Sequence, residues 1–276
     1  MASAPASPTF GRPTRPQNFV VFGEMGVGKS SLINLIAGKE LAEVSSGAKS
    51  CTLDSTEHTI NLTDYQRDVR LYDTAGLNEP NMNNASYVDA LVNAHKLIQS
   101  LQGNGGIHGL LFCIRGGRIT NIVQQNYRLF YEFLCQEKVP IALVINGLEN
   151  EPDMDGWWTQ NRHHVEKSGI ASVKHVCITT VMGHDNAYEK RYWDSRKKVH
   201  KMLNELTHGA AYSADVSSWF GRMCKKLREL LVPGSKVPWL GKSHDKMMKE
   251  LTKRYMLRKE DAVQFLRGIG FDENNR

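Results

Sequence analysis

Residues Gly23–Ser30 read GEMGVGKS and fit the pattern GxxxxGK[ST]. The pattern lies between Asn18–Gly23 (NFVVFG), a short β run, and Gly28–Ala37 (GKSSLINLIA), whose Leu32, Ile33, Leu35 and Ile36 have helical spacing. Strand, glycine turn and helix in that order predict a phosphate-binding loop. Gly23, Gly26 and Gly28 let the backbone curl so that its N–H groups face an anion. The helix that follows turns its positive end toward the same point. Gly23, Glu24, Gly26, Val27, Gly28, Lys29, Ser30 and Ser31 are therefore the expected phosphate-side residues. Lys29 would neutralise the β- and γ-phosphates, and the Ser30 hydroxyl would ligate Mg²⁺.

The rest of the chain supports that placement. Strands are expected at Thr56–Leu62, Val69–Tyr72, His108–Ile114, Val139–Ile145 and Val173–Ile178, from alternation or continuous apolar runs. Helices are expected at Asn84–Leu101, Thr120–Cys135, Met154–Lys167 and Glu189–Leu206. This alternation predicts an α/β fold: a doubly wound P-loop NTPase domain with a mostly parallel sheet and helices on both faces. The expected domain spans residues 18–208. Residues 1–17 carry four of the nine prolines and read as a disordered leader. Residues 209–276 read as a basic, helical C-terminal extension, with helices expected near Trp219–Leu231, His244–Met256 and Lys259–Arg267.

Two further motifs close strands. Asp73-Thr74-Ala75-Gly76 follows Val69–Tyr72. A carboxylate there can hold Mg²⁺ through water, and the Gly76 N–H can meet a γ-phosphate and sense its presence. A threonine completing the metal site should lie between Ser30 and that strand. Thr52, in the loop-like Gly47–Thr52 (GAKSCT), is preferred over Thr56 and Thr59, which belong to a strand pattern. Asn146-Gly147-Leu148-Glu149 follows Val139–Ile145, where a GTPase places NKxD. A carboxylate accepts from guanine N1–H and the 2-amino group, a donor pair that adenine lacks. Here Gly147 replaces the lysine whose stem packs on the base, and Glu149 is one methylene longer than Asp. Thr179-Thr180 after the last strand stands where a backbone N–H, that of Thr180, would meet guanine O6.

Across about residues 18–208 the chain resembles the septin-like GTPases of the immunity-associated (avrRpt2-induced-gene) type. GEMGVGKSS resembles their phosphate loop, Gly47–Thr52 their switch I, and DTAGL their DTPGL. Phe112–Thr120 (FCIRGGRIT) resembles the box after their fourth strand, which maps the family's arginine onto Arg118. The resemblance implies GTP and GDP as ligands with Mg²⁺. It also implies a homodimer through the nucleotide face, in which Arg118 reaches the partner's phosphates. Arg115 is the alternative finger.

Ras-type enzymes orient water with a glutamine where this chain has Leu77, and Met25 stands at a loop position that is glycine there. Hydrolysis is accordingly expected to be slow unless a finger arginine assists it, a contribution on the order of 10³–10⁵ in rate. Thr52, Lys29 and Arg118 are the expected catalytic residues. Ser55, Glu57 and His58 are further candidates for positioning water. The alternatives are a scaffold that binds without hydrolysing, and a P-loop ATPase or kinase without guanine preference.

Charge and cysteines bear on partners and compartment. Residues 219–276 hold 14 Lys and Arg against 7 Asp and Glu, so the net +6 of the chain resides there. Such a segment could meet an anionic membrane or an acidic protein face, or could be a solvated helical face. No recognised motif accompanies the charge, which argues against nucleic acid. Five cysteines without a CxxC pair predict reduced thiols, no zinc site, and a cytoplasmic or membrane-peripheral location.

Overall fold

A computed structural model describes residues 16–44, 55–74, 84–135, 137–208, 248–254 and 257–268. The strands are β1 (Gln17–Gly23), β2 (Thr56–Leu62), β3 (Arg67–Asp73), β4 (Gly109–Arg115), β5 (Ile141–Asn146) and β6 (Lys174–Cys177). They form one six-stranded sheet in the order β2-β3-β1-β4-β5-β6, with β2 antiparallel to β3 and every other pairing parallel. The helices are α1 (Lys29–Ala37), α2 (Asn84–Gly103), α3 (Asn121–Tyr127), α4 (Met154–Lys167), α5 (Glu189–His208) and α6 (Lys259–Gly268). The expected α/β class is the observed one.

The apolar strands divide into two cores because successive side chains leave opposite faces of a sheet. Val20, Phe22, Leu110, Phe112, Leu143 and Ile145 face α2, α3, α4 and α6. Phe19, Val21, Leu71, Leu111, Cys113 and Val144 face α1 and α5. Phe22 is fully buried, stacked on Phe112 at 4.7 Å and on Phe130 at 4.3 Å between ring centroids. Truncating such a residue to alanine costs about 3–5 kcal/mol.

The segment expected as one helix, Thr120–Cys135, is α-helical only to Tyr127 and then widens into a π-helical stretch over Arg128–Leu134. The wider turns bring Leu129, Phe130 and Leu134 into the same core, which a regular pitch would spread further around the helix. At the far end of the chain, Leu257, Ala262, Phe265 and Leu266 are buried in the core that also holds Val92, Leu97 and Ile98 of α2. The expected helix at Trp219–Leu231 lies outside the described residues. Among the described residues no helix is long and apolar enough to cross a membrane.

The chain leaves β1 toward β3 on one side and β4 toward β5 on the other. Open α/β sheets bind ligands beyond the carboxyl ends of strands at such a reversal of order, here β1 and β4. The glycine-rich loop follows β1 there, and Gly116–Thr120 follows β4.

Candidate functional site

The loop is shaped by two glycines that accept no substitute. Gly23 has φ +151°, and a Cβ there would stand 2.3 Å from the Cys113 carbonyl oxygen of β4. Gly28 has φ +91°, and its Cβ would stand 2.3 Å from Asn146 Nδ2. Glycine thus brings the loop against β4 and β5 at once. Helix α1 starts at Lys29 with no side-chain cap and no acid in its first turn. Its first N–H groups are left for an anion.

Lys29 is buried and folds back over the loop. Its Nζ donates to the carbonyls of Glu24 at 3.0 Å and Gly23 at 3.4 Å. Burial lowers its pKa, and the charges of Asp73, Cys113 and Glu24 oppose that shift. Such an ammonium gains from a phosphate placed within its reach.

Asp73 closes β3 beside Val21 of β1. The next residue anchors the turn: Thr74 donates to Val21 O through its N–H at 3.2 Å and its hydroxyl at 2.9 Å. Asp73 Oδ2 accepts from Ser30 Oγ at 2.7 Å, whereas the buried Oδ1 has no partner. Burial raises the pKa of this carboxyl, while Ser30, Lys29 and His58 pull it down. An orphaned carboxylate oxygen beside a serine hydroxyl fits a hard, oxygen-seeking cation such as Mg²⁺. Among the described residues no group of three His, Cys, Asp or Glu could hold a metal. Mg²⁺ would therefore complete its shell with phosphate and water oxygens, as it commonly does. Thr52, Gly76 and Leu77 lie outside the described residues.

On the other flank, Asn146 ends β5 and ties three segments together. Its Nδ2 donates to Val27 O of the loop at 2.9 Å and to Thr180 Oγ1 at 3.0 Å. Its carbonyl accepts from Gly116 N–H at 2.7 Å. Its Oδ1 is buried without a partner. Glu149 Oε2 accepts from Thr179 Oγ1 at 3.0 Å. The Thr179 N–H is committed to Ser195 Oγ at 3.1 Å, whereas the Thr180 N–H has no such bond among the described residues. Sequence reasoning named the two threonines together but missed the hold of Thr179 on Glu149. It also missed Ser195, a polar residue at 0% exposure on the face of α5 that buries Tyr192 and Val199. A serine inside a helical apolar stripe was the available signal.

The box after β4 joins the loop through Thr120. Its hydroxyl accepts from Val123 N–H at 3.2 Å, capping α3, and donates to Glu24 Oε1 at 3.2 Å. Arg118, two residues earlier, is exposed and has no hydrogen bond or ion pair among the described residues. Arg115 ends β4 next to Gly147. Of the other water-positioning candidates, Glu57 is engaged by Tyr72 Oη at 2.9 Å and by Arg70 Nε at 3.5 Å, which directs it away from such a role. His58 lies near enough to influence Asp73 electrostatically.

A glycine-shaped loop, a buried carboxylate with an orphaned oxygen and an asparagine bridging loop to strand stand together. Residues 18–147 match the family model described as 50S ribosome-binding GTPase. The domain has the α/β G-domain fold, and just under half of the chain is similar to that GTPase family. GTP or GDP with Mg²⁺ is the ligand set typical of this domain type. Among curated relatives, "GTPase Der" of Campylobacter lari is 27% identical over 203 residues, covering 74% of this chain and 38% of the relative. The chain thus spans well under half the length of that relative. Among solved structures, Aquifex aeolicus Era bound to GDP·AlF4− superposes with a TM-score of 0.50 at 17% identity, covering 68% of this chain and 57% of Era. A structure of the chloroplast translocon components atToc33 and psToc159 gives 0.50 at 18% identity, covering 70% of this chain and 84% of that one. These likenesses establish the G-domain fold.

Proposed function

We propose that this G domain binds guanine nucleotide with Mg²⁺, hydrolyses GTP slowly to GDP and phosphate, and acts as a nucleotide-controlled switch or dimerising scaffold. The observation that carries the guanine reading is Glu149. Its carboxylate is held by Thr179, three residues after an asparagine that bonds the phosphate loop. A fixed acceptor there can take two donors from one edge of guanine, and adenine cannot supply them.

The finer assignment is to the septin-like, immunity-associated type. It rests on FCIRGGRIT and on Arg118, which is exposed and unpaired among the described residues next to the loop-bound Thr120. Dimerisation is described as important for the GTPase activity of the Toc33 and Toc159 pair, whose fold this chain shares. We carry that arrangement over as the reading for this chain, with Arg118 of each protomer directed to its partner's phosphates. The free, buried Cys113, Cys135 and Cys177 support a reducing, cytoplasmic location. The basic segment of residues 219–276 is proposed to meet an anionic membrane surface or an acidic protein face.

Calorimetric titration of nucleotide-free protein with GDP, a non-hydrolysable GTP analogue and their adenine counterparts, all with Mg²⁺, tests the reading. Binding of the guanine ligands alone is expected, and equal binding of the adenine ligands would refute guanine recognition by Glu149. Leu77, in place of a water-orienting glutamine, favours a second reading as a scaffold that does not turn over. Multiple-turnover release of phosphate separates the two.

A further inference from the structure

Gly147 leaves a gap in the base-binding loop that another residue fills. Its φ is +80°, and a Cβ built on it would rest in van der Waals contact with the side chain of Arg115, at 3.4 Å from Cγ, 3.5 Å from Nε and 3.9 Å from Cζ. Arg115 belongs to β4 and pairs in register with Asn146. Its side chain therefore lies along the bare backbone of Gly147, on the side that a residue-147 side chain would otherwise occupy. The side chain is exposed, and among the described residues it makes no hydrogen bond or ion pair. A packed but unpaired guanidinium at the rim of a site is placed to meet something flat.

We propose that Arg115 lays its guanidinium over one face of the bound nucleobase, supplying from β4 the cover that a long side chain at position 147 would give. The inference rests on the reading that the base sits beside Asn146 and Glu149. Those two residues offer an orphaned Oδ1 and a fixed carboxylate, which read an edge. Edge hydrogen bonds alone leave the plane of the ring exposed to water. A planar, weakly hydrated cation stacks on an aromatic face without regard to its edge. Glycine at 147 suits the positive φ of +80° and leaves the arginine stem the space into which a longer side chain there would extend beyond its Cβ.

Titration calorimetry on the full chain with Mg²⁺ tests the proposal, using GDP, ADP and inorganic tripolyphosphate against wild type, Arg115→Ala and Arg115→Trp. Arg115→Ala is expected to weaken GDP on the order of tenfold while leaving tripolyphosphate unchanged. Arg115→Trp, flat but uncharged, is expected to keep most of the wild-type affinity. Unchanged GDP binding by Arg115→Ala overturns the proposal. So does an equal loss of tripolyphosphate, which would put the arginine on the phosphates, or an Arg115→Trp variant as weak as the alanine. If wild type binds ADP as well as GDP, the guanine reading fails on its own. Stacking then still requires Arg115→Ala to weaken both nucleotides alike.

Discussion

Ser30 Oγ donates to Asp73 Oδ2 at 2.7 Å, bringing the first turn of α1 against the end of β3. The bond preforms a two-oxygen corner, and Asp73 Oδ1 remains unsatisfied within it. Removing the hydroxyl should spare the fold and impair the cation. Ser30→Ala is expected to lose about 10- to 100-fold of the affinity gain that Mg²⁺ gives GDP, a loss typical of weakened metal shells. Titrating GDP with Mg²⁺ and again with a chelator isolates that gain. An unaltered gain would mean that Ser30 only anchors Asp73.

Thr179 and Glu149 make the second pairing with a measurable consequence. Hydrogen bonds to a charged group contribute about 1.5–3 kcal/mol each. Glu149→Ala should therefore cut GDP affinity by at least about tenfold and bring it close to that for ADP. Thr179→Val keeps the carboxylate but frees it, and should lower the GDP-to-ADP ratio by a smaller factor. Competition of the two nucleotides against a fluorescent GDP gives both ratios. A ratio unmoved in Glu149→Ala would show that the loop does not read the base.

What could be read in advance follows from range along the chain. The phosphate loop was legible because its demands are local: glycine where φ is positive, lysine and serine at fixed offsets, a strand before and a helix after. The strands were legible because central parallel strands are apolar on both faces, as in Ile141 to Ile145 of β5, with every residue buried. Illegible were pairings between distant segments. Glu149 with Thr179 joins residues 30 apart, and Glu24 with Thr120 joins residues 96 apart. Neither leaves a periodic trace. The apolar positions Ala262, Phe265 and Leu266 of α6 mark a buried stripe, but only the structure names α2 as its partner. The π-helical widening after Tyr127 carries no glycine or proline signal, and within it Phe130 stacks on Phe22 of β1.

Arg118 yields a prediction about concentration. If its guanidinium acts across a dimer, the rate per protomer rises as protein concentration rises. Arg118→Ala should then abolish the rise, losing up to on the order of 10³-fold at saturation, with GDP affinity unchanged. Steady-state phosphate release over a range of protein concentrations measures it. A wild-type rate per protomer that stays flat over that range would exclude a finger in trans.

His95 makes the helix after DTAG sensitive to acid. It lies on α2 at 6% exposure, and burial pushes its pKa down from 6.5 to about 4. The unfolded chain binds a proton between those values and the folded chain does not, so stability rises with pH across that window. The contribution of this residue is complete above pH 6.5 and is lost as pH falls toward 4, roughly 3 kcal/mol in all. Burial lowers His108, His175 and His200 as well, so they act in the same direction. His95→Leu should flatten part of the acid-side slope in a series of urea unfolding midpoints from pH 7 to 4.5. Because α2 shares its core with Phe265 and Leu266, the same variant should also delay the acid exposure of amides in α6, followed by hydrogen exchange. A slope as steep as that of the wild type would place the acid sensitivity in the other buried histidines.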